Sequence, residues 1–312
     1  MAPLEPPKSA TEAANAITEL NDTAWVLAAL IDVFSREARP SCNRDDLAAQ
    51  VLASAGLFVE DADGISPAPG LADLIRETGV APVDGARSVL GQVAVVARGE
   101  SLNEGWAEQA DETLLAQGAA SGRFVSAFLP RLFAQVPELH DRLKTPGARF
   151  LDVGVGVGAM ACAIANAIPS LSIVGIDPFR RALRLAAQRV AELGLEDRVT
   201  LRRCGVEEVD DEEAFDLAWL PAPFIPPPLF ATGVERLFRA LRSGGWILVG
   251  MGRLEGKSLS TAVTRWQTAL IGGTPLTQDE AIAHLTRVGF VDGRKLESSP
   301  GAPVAVIARR TA

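Results

Sequence analysis

The chain reads as an α/β protein: a doubly wound, mainly parallel sheet with an antiparallel terminal strand, behind a mainly helical front domain. Three observations predict it. From Arg149 onward, short apolar runs of strand length alternate with amphipathic helical runs, as crossover units of a parallel sheet do. Near the C terminus the turn SSPGA is too short to reconnect parallel strands, so the two β segments around it pair antiparallel. Before about Ala94 the apolar spacing is helical.

Three parts follow: a helical domain over residues 1–94, linking helices over 95–145, and the α/β domain over 146–312. In the first, AITELNDTAWVLAALIDVF has helical periodicity. Asn43–Ala55 opens on a capping-type Asn43 and predicts a helix with Leu47, Val51 and Leu52 on one face. Leu57–Val59, a turn at Asp61–Gly64, and Ile65 predict a short hairpin. Helices followed by a small hairpin resemble a winged-helix module. The linking segment is periodic, with Gly118 and Gly122 as weak points, and Pro146–Gly147 ends it. In the α/β domain the expected strands are Arg149–Val153, Leu171–Ile176, Val199–Arg203, Phe215–Leu220 and Trp246–Met251, then Phe290–Leu296 and Pro303–Ala308. The expected helices are Ala159–Ala167, Arg180–Leu193, Val234–Leu241 and Gln278–Val288.

Composition narrows the function. The chain is 48% hydrophobic and 22% charged, enough to bury a core. Its net charge of −9 opposes general affinity for nucleic acid or an anionic membrane. Residues 1–95 carry 14 acidic and 6 basic side chains, a net of −8, the wrong sign to displace counterions from phosphates. The front domain is therefore read as a dimerisation element or a pocket wall. No apolar stretch reaches membrane-spanning length. The start MAPLEPPKSATEAAN lacks the pattern of a secretory leader, and Cys42, Cys162 and Cys204 are too scattered for a disulfide frame or a metal site. A cytoplasmic protein without bound metal is expected.

The chemistry centres on FLDVGVGVGAM, Phe150–Met160. An apolar run stops at Asp152, and Gly154, Gly156 and Gly158 follow at every second position. Such a turn lets a ligand lie against the main chain. A dinucleotide fingerprint would space its glycines G-x-G-x-x-G, and a carboxylate at Asp152 would repel a pyrophosphate. Asp152 suits a ligand that offers a cation. Asp177 ends the second strand, 25 residues later, where a carboxylate accepts ribose hydroxyls. No phosphate-binding lysine accompanies them. The ligand so described is a nucleoside with a positively charged tail and no phosphate.

These segments resemble the motifs of the class I S-adenosylmethionine-dependent methyltransferases. LDVGVGVGAM is similar to the first motif, VGIDPF to the second, FDLAWLPAPFIPP to the segment after strand four, and ALRSGGWILVGM to the glycine turn into strand five. The resemblance covers about residues 146–312. The front half resembles, more loosely, the dimerisation domain of small-molecule O-methyltransferases. It implies a Rossmann-like sheet and a homodimer. It also implies S-adenosyl-L-methionine as cofactor and S-adenosyl-L-homocysteine as product. Carried onto this chain, Gly154, Gly156 and Gly158 line the methionine part and Asp152 meets the amino group. Asp177 holds the ribose, with Pro178 and Phe179 beside the adenine. The family's acidic adenine reader is replaced by Gly205, so the backbone of Cys204, Gly205 and Val206, or Glu207, takes that task. Leu220 and Pro221 face the methyl group and the substrate.

The acceptor side is less defined. WLPAPFIPP differs from the N/D-P-P-Y/F motif of amino methyltransferases, because Leu220 stands where that motif needs an amide or carboxylate. It is read as an apolar pocket wall, with Trp219 and Phe224 available to stack on substrate. Trp106 and Gln117 are further pocket candidates. The chain has 2 histidines, His140 and His284, neither where a base is expected. Glu104, Glu108, Asp111 and Glu112 are the remaining candidates, and no catalytic residue is assigned. Direct transfer by proximity and desolvation to a small, largely apolar substrate is the expectation. A non-methylating enzyme that uses the same cofactor, a ligand-sensing regulator and a nicotinamide oxidoreductase are the alternatives.

Overall fold

The structure is a computed structural model, and it describes residues 6–36, 42–78, 83–99, 110–298 and 303–311. The chain divides into two compact units, Ala2–Ala94 and Val95–Ala312.

In the first unit, α1 (Ala10–Arg36) and α2 (Leu47–Ser54) pack beside a hairpin of β1 (Phe58–Asp61) and β2 (Gly64–Pro67), followed by α3 (Pro69–Thr78) and α4 (Val83–Ala97). Its core is Ala29, Leu30, Val33, Ala49, Leu52, Phe58 and Ile65. Two expectations for α2 are corrected. The cap is Asp46, whose carboxylate accepts from the backbone N–H of Ala48 (3.0 Å) and Ala49 (3.2 Å), rather than Asn43. The buried face is Ala49 and Leu52, while Leu47 is 75% and Val51 39% exposed. Moving the start to Leu47 also leaves Leu47 in the open first turn.

The second unit begins with α5 (Asp111–Gln135) and α6 (Pro137–Lys144). Then come β3 (Arg149–Val153), α7 (Ala159–Ala167), β4 (Ser172–Ile176), α8 (Arg180–Glu192), β5 (Val199–Arg202) and β6 (Phe215–Pro221). It closes with α9 (Pro227–Ala240), β7 (Leu241–Met251), α10 (Leu259–Leu270), α11 (Gln278–Val288), β8 (Phe290–Leu296) and β9 (Val304–Arg310). The seven strands lie in the order β5-β4-β3-β6-β7-β9-β8. β3 to β7 run parallel, and β9 is antiparallel to both β7 and β8. Helices α5, α6 and α7 supply the core on one face of the sheet, and α9 and α11 that on the other.

Three further differences have local causes. Gly118 and Gly122 do not weaken α5; they sit where the helix presses on the turn after β3 and on α7. A Cβ on Gly118 would overlap Val157 Cγ2, and one on Gly122 would lie 3.3 Å from the Ala159 carbonyl oxygen. Helix α9 starts at Pro227, not Val234, because a proline is favoured at a first helical position. Helix α10 has no counterpart in the sequence expectations. Its buried positions are Thr261 and Thr268, while Leu259, Val263 and Trp266 are exposed, so its apolar pattern points outward.

At the start of the strands, buried Asp216 binds Arg142 Nε (2.9 Å), Arg242 (2.6 Å) and the backbone N–H of Arg149 (2.9 Å). This ties α6, β3, β6 and β7 together at the edge opposite the glycine turn.

Candidate active site

The site forms where β3 and β4 end, flanking the point at which the strand order reverses, the usual place for a ligand crevice. Gly154, Gly156 and Gly158 all have left-handed backbone, with φ of 66°, 55° and 75°. Any other L-residue there would be strained. A Cβ on Gly158 would also lie 3.2 Å from Ala186 Cβ, so this glycine lets α7 and α8 approach. The turn is fixed from several sides. Val155 donates to the Ile176 carbonyl (2.9 Å), and Arg189 Nε donates to the Val157 carbonyl (3.1 Å). Leu114, Val157, Ala159 and Leu185 form a small apolar cluster across it.

Asp152 is 0% exposed, and both of its carboxylate oxygens lack a hydrogen-bond partner among the described residues. Burial, and then the like charge of Asp177, hold its carboxyl well above the usual carboxylate range. Asp177 is better satisfied: its carboxylate accepts from Phe179 N–H (2.9 Å) and Gly156 N–H (3.0 Å). Burial still raises its pKa, against those two hydrogen bonds. The orphaned Asp152, the three glycines and Asp177 fit a nucleoside with an ammonium-bearing tail. Asp152 is the group for the ammonium, and Asp177 has acceptor capacity left for hydroxyls.

Around the nucleoside end, Arg203 Nε donates to the Pro178 carbonyl (3.2 Å), pinning Pro178 and the half-buried Phe179. Beyond β5, Cys204 and Glu207 are half-buried, and Gly205 and Val206 buried. The Gly205 N–H is taken by Glu208 (2.7 Å), and the Glu207 carboxylate folds back over Gly205, where a Cβ would meet it at 2.5 Å.

On the acceptor side, Pro221 Cγ would stand 3.5 Å from a Cβ on Gly154, so Pro221 borders the turn. Leu220 corrects an expectation. Strand alternation turns its side chain into the core on the α9 and α11 face, fully buried, away from the turn. Trp219 stands beside Asp152 in strand register and packs its indole into the space left by Gly250, where a Cβ would overlap Cη2. Phe224 is half-buried in the 3-10 turn Ala222–Phe224. That turn is held by a segment the sequence reading missed: Thr274 donates its N–H to Ala222 (3.0 Å) and its hydroxyl to the Ile225 carbonyl (2.6 Å). Gly273 presses against the Pro223 backbone.

The candidate bases separate. Asp111 binds Arg181 (2.6 Å) and Arg184 (3.0 Å), and the Arg181 hydrogen bond leads in lowering its pKa. Glu112 is exposed and Gln117 half-buried. His140 stacks on Phe133 at 4.2 Å, in the helix before β3, and His284 meets Phe230 edge-on at 5.6 Å. Trp106, Glu104 and Glu108 lie outside the described residues.

Residues 150–245 match the family model described as "Methyltransferase domain". The glycine turn, Asp152 and Asp177 thus lie within a segment that is similar to methyltransferase domains. Among curated relatives, a release factor glutamine methyltransferase of Rhodopirellula baltica is 35% identical over 81 residues, 26% of this chain and 27% of that protein. The curated relatives are matched over part of their length only, about a quarter in this case. Among solved structures, PigF with SAH superposes with a TM-score of 0.65 at 16% identity, covering 97% of this chain and 99% of that one. Human N-acetylserotonin methyltransferase in complex with SAM gives a TM-score of 0.59 at 17% identity, covering 99% and 100%. At these identities the likeness is one of fold. Among the described residues, no helix is long and apolar enough to cross a membrane.

Proposed function

We propose that the protein is an S-adenosylmethionine-dependent methyltransferase acting on a small, largely apolar molecule. The observation that carries this reading is the buried Asp152, without a hydrogen-bond partner among the described residues, beside three left-handed glycines and Asp177. When bound, S-adenosylmethionine supplies a methyl group on an electrophilic sulfonium. The residues of the chain bind, orient and exclude water. Asp177 takes the ribose, Asp152 the amino group, and Pro221, Trp219 and the Ala222–Ile225 turn form an apolar wall toward the acceptor.

Alignment and desolvation carry the rate in this reading. Asp111, engaged by two arginines, is a poor proton acceptor, and His140 and His284 are occupied with aromatic neighbours. An amine-gripping role for the strand-four segment is disfavoured because Leu220 buries its side chain on the other face of the sheet. The acidic front unit argues for a small acceptor over nucleic acid. Exposed Ile17, Leu20 and Trp25 on α1 support a homodimer built through that unit, which sedimentation tests directly.

The test is binding followed by turnover. Calorimetry with S-adenosylmethionine and S-adenosylhomocysteine should give a saturable site, and small molecules that copurify should gain the mass of one methylene on incubation with the cofactor. Absence of binding to either ligand rejects the reading. Binding with products that carry no added methylene favours a non-methylating enzyme with the same cofactor.

A further inference from the structure

We infer that Asp152 couples capture of the cationic ligand to the release of one proton from the protein. The inference rests on the reading of the site as an S-adenosylmethionine pocket. Its basis is geometric. A carboxylate with no exposed surface and no hydrogen bond to either oxygen is costly to keep charged. Protonation removes that cost.

Among the described residues no side chain or backbone group hydrogen-bonds to Asp152. From the end of β4, Asp177 adds a like charge. From α7 comes Cys162, a buried thiol pushed up first by burial, with Asp152 contributing. Arg189 of α8 acts on Cys162 and spends its Nε on the Val157 carbonyl. Helix α5 carries Arg123, half-buried, whose pKa is lowered by desolvation. The strand register puts Gly175 of β4 and Trp219 of β6 beside Asp152, and neither titrates. Burial, and then the like charge of Asp177, push the Asp152 carboxyl toward its protonated form.

A ligand ammonium changes the balance by bringing the missing counter-charge. The carboxyl O–H bond then breaks, the proton passes to solvent, and the carboxylate remains paired with the ammonium. No covalent bond to the ligand forms. A ligand without a cation leaves the proton where it is. Affinity for a cationic ligand therefore rises with pH, up to tenfold per unit while a whole proton must leave. It levels off once Asp152 of the unliganded protein has ionised, and falls only at more alkaline pH, where the ligand's own ammonium deprotonates.

The experiment is calorimetry of the full-length protein from pH 5.5 to 8.5, in buffer pairs of differing ionisation enthalpy, which counts protons exchanged per ligand. The probes are S-adenosylhomocysteine, which has the ammonium, and 5′-deoxy-5′-methylthioadenosine, which lacks it. Wild type should release close to one proton with the first probe at the acidic end, declining toward zero at the alkaline end, and none with the second. The Asp152→Asn protein, checked for folding by circular dichroism, should release none and bind with a flat pH profile. Binding without proton release in wild type overturns the inference and leaves the methyltransferase reading standing. So does undiminished release in the Asp152→Asn protein, which would locate the proton at Asp177. Failure of both probes to bind overturns both readings.

Discussion

Substituting Gly118 by Ala tests whether α5 holds the glycine turn in position. On an isolated helix this change stabilises, by about 0.5–1 kcal/mol, because glycine loses more backbone entropy on folding. Here the added Cβ would overlap Val157 Cγ2. Val157 is 3% exposed and β-branched, so it has no free rotamer to retreat into. Overpacking of this kind costs about 1–3 kcal/mol. The net expectation is a loss of about 1–2 kcal/mol once the helix gain is subtracted. Gly122 is the control. Its added Cβ would lie 3.3 Å from the Ala159 carbonyl oxygen and 3.4 Å from Ala159 Cβ, a conflict that a shift of tenths of an ångström relieves. Gly122→Ala should therefore stay within about 0.5 kcal/mol of wild type. The assay is denaturant unfolding of both variants, with S-adenosylhomocysteine affinity as a second readout, because Val157 belongs to the turn. Val157→Ala removes the atom that Gly118→Ala strikes. The double variant should thus recover at least about 1 kcal/mol relative to the sum of the single changes. Stability equal to or above wild type in Gly118→Ala, together with additivity in the double variant, would refute the close-packing account.

Asp177→Ala should weaken both S-adenosylhomocysteine and methylthioadenosine by at least tenfold, since each charge-assisted hydrogen bond is worth about 1.5–3 kcal/mol and both ligands contain the ribose; calorimetry reads it, and an unchanged affinity rejects Asp177 as the ribose ligand. Asp216→Ala should lower stability by about 3 kcal/mol, the lower end of the range for breaking a buried ion pair, because Arg142 and Arg242 keep some access to water. Lying at the opposite edge of the sheet, it should leave ligand affinity unaltered, and a large loss of binding in folded protein would contradict that separation. Asp152 also links stability to pH. Its raised native pKa means that the native state binds more protons than the unfolded chain above the ordinary carboxylate range, so stability of the unliganded protein falls as pH rises through that window. Asp152→Asn should remove a slope of up to about 1.4 kcal/mol per pH unit, seen in unfolding curves across pH 4–8. A variant-minus-wild-type difference that is constant with pH would exclude proton uptake at this carboxyl.

The cofactor half of the site was legible in the sequence because its signals are local. Strand β3, helix α7, helix α11 and strand β8 have the expected limits, since each is a dense apolar or amphipathic run between glycines or a capping box. Asp152, the glycines and Asp177 lie within one strand–helix–strand unit, so spacing alone aligned them. What spacing could not convey is that Asp152 has no partner among the described residues, because a missing contact belongs to the folded arrangement. The acceptor half is different in kind. Its wall depends on Trp219 entering the space of Gly250, on Gly273 meeting Pro223, and on Thr274 binding Ala222 and Ile225. Each contact joins segments far apart in sequence, and five of the participants, Gly250, Gly273, Pro223, Ala222 and Ile225, act through a side chain they lack or through the backbone. A glycine that makes room reads in sequence like a glycine that merely bends, as Gly118 did. Helix α10 adds an inverted pattern, with threonines inward and Leu259, Val263 and Trp266 outward, so periodicity pointed the wrong way. In the proposed reading, acceptor specificity is written in complementary absences between distant segments, and paired substitutions such as Gly250→Ala with Trp219→Phe are the perturbations that can read it.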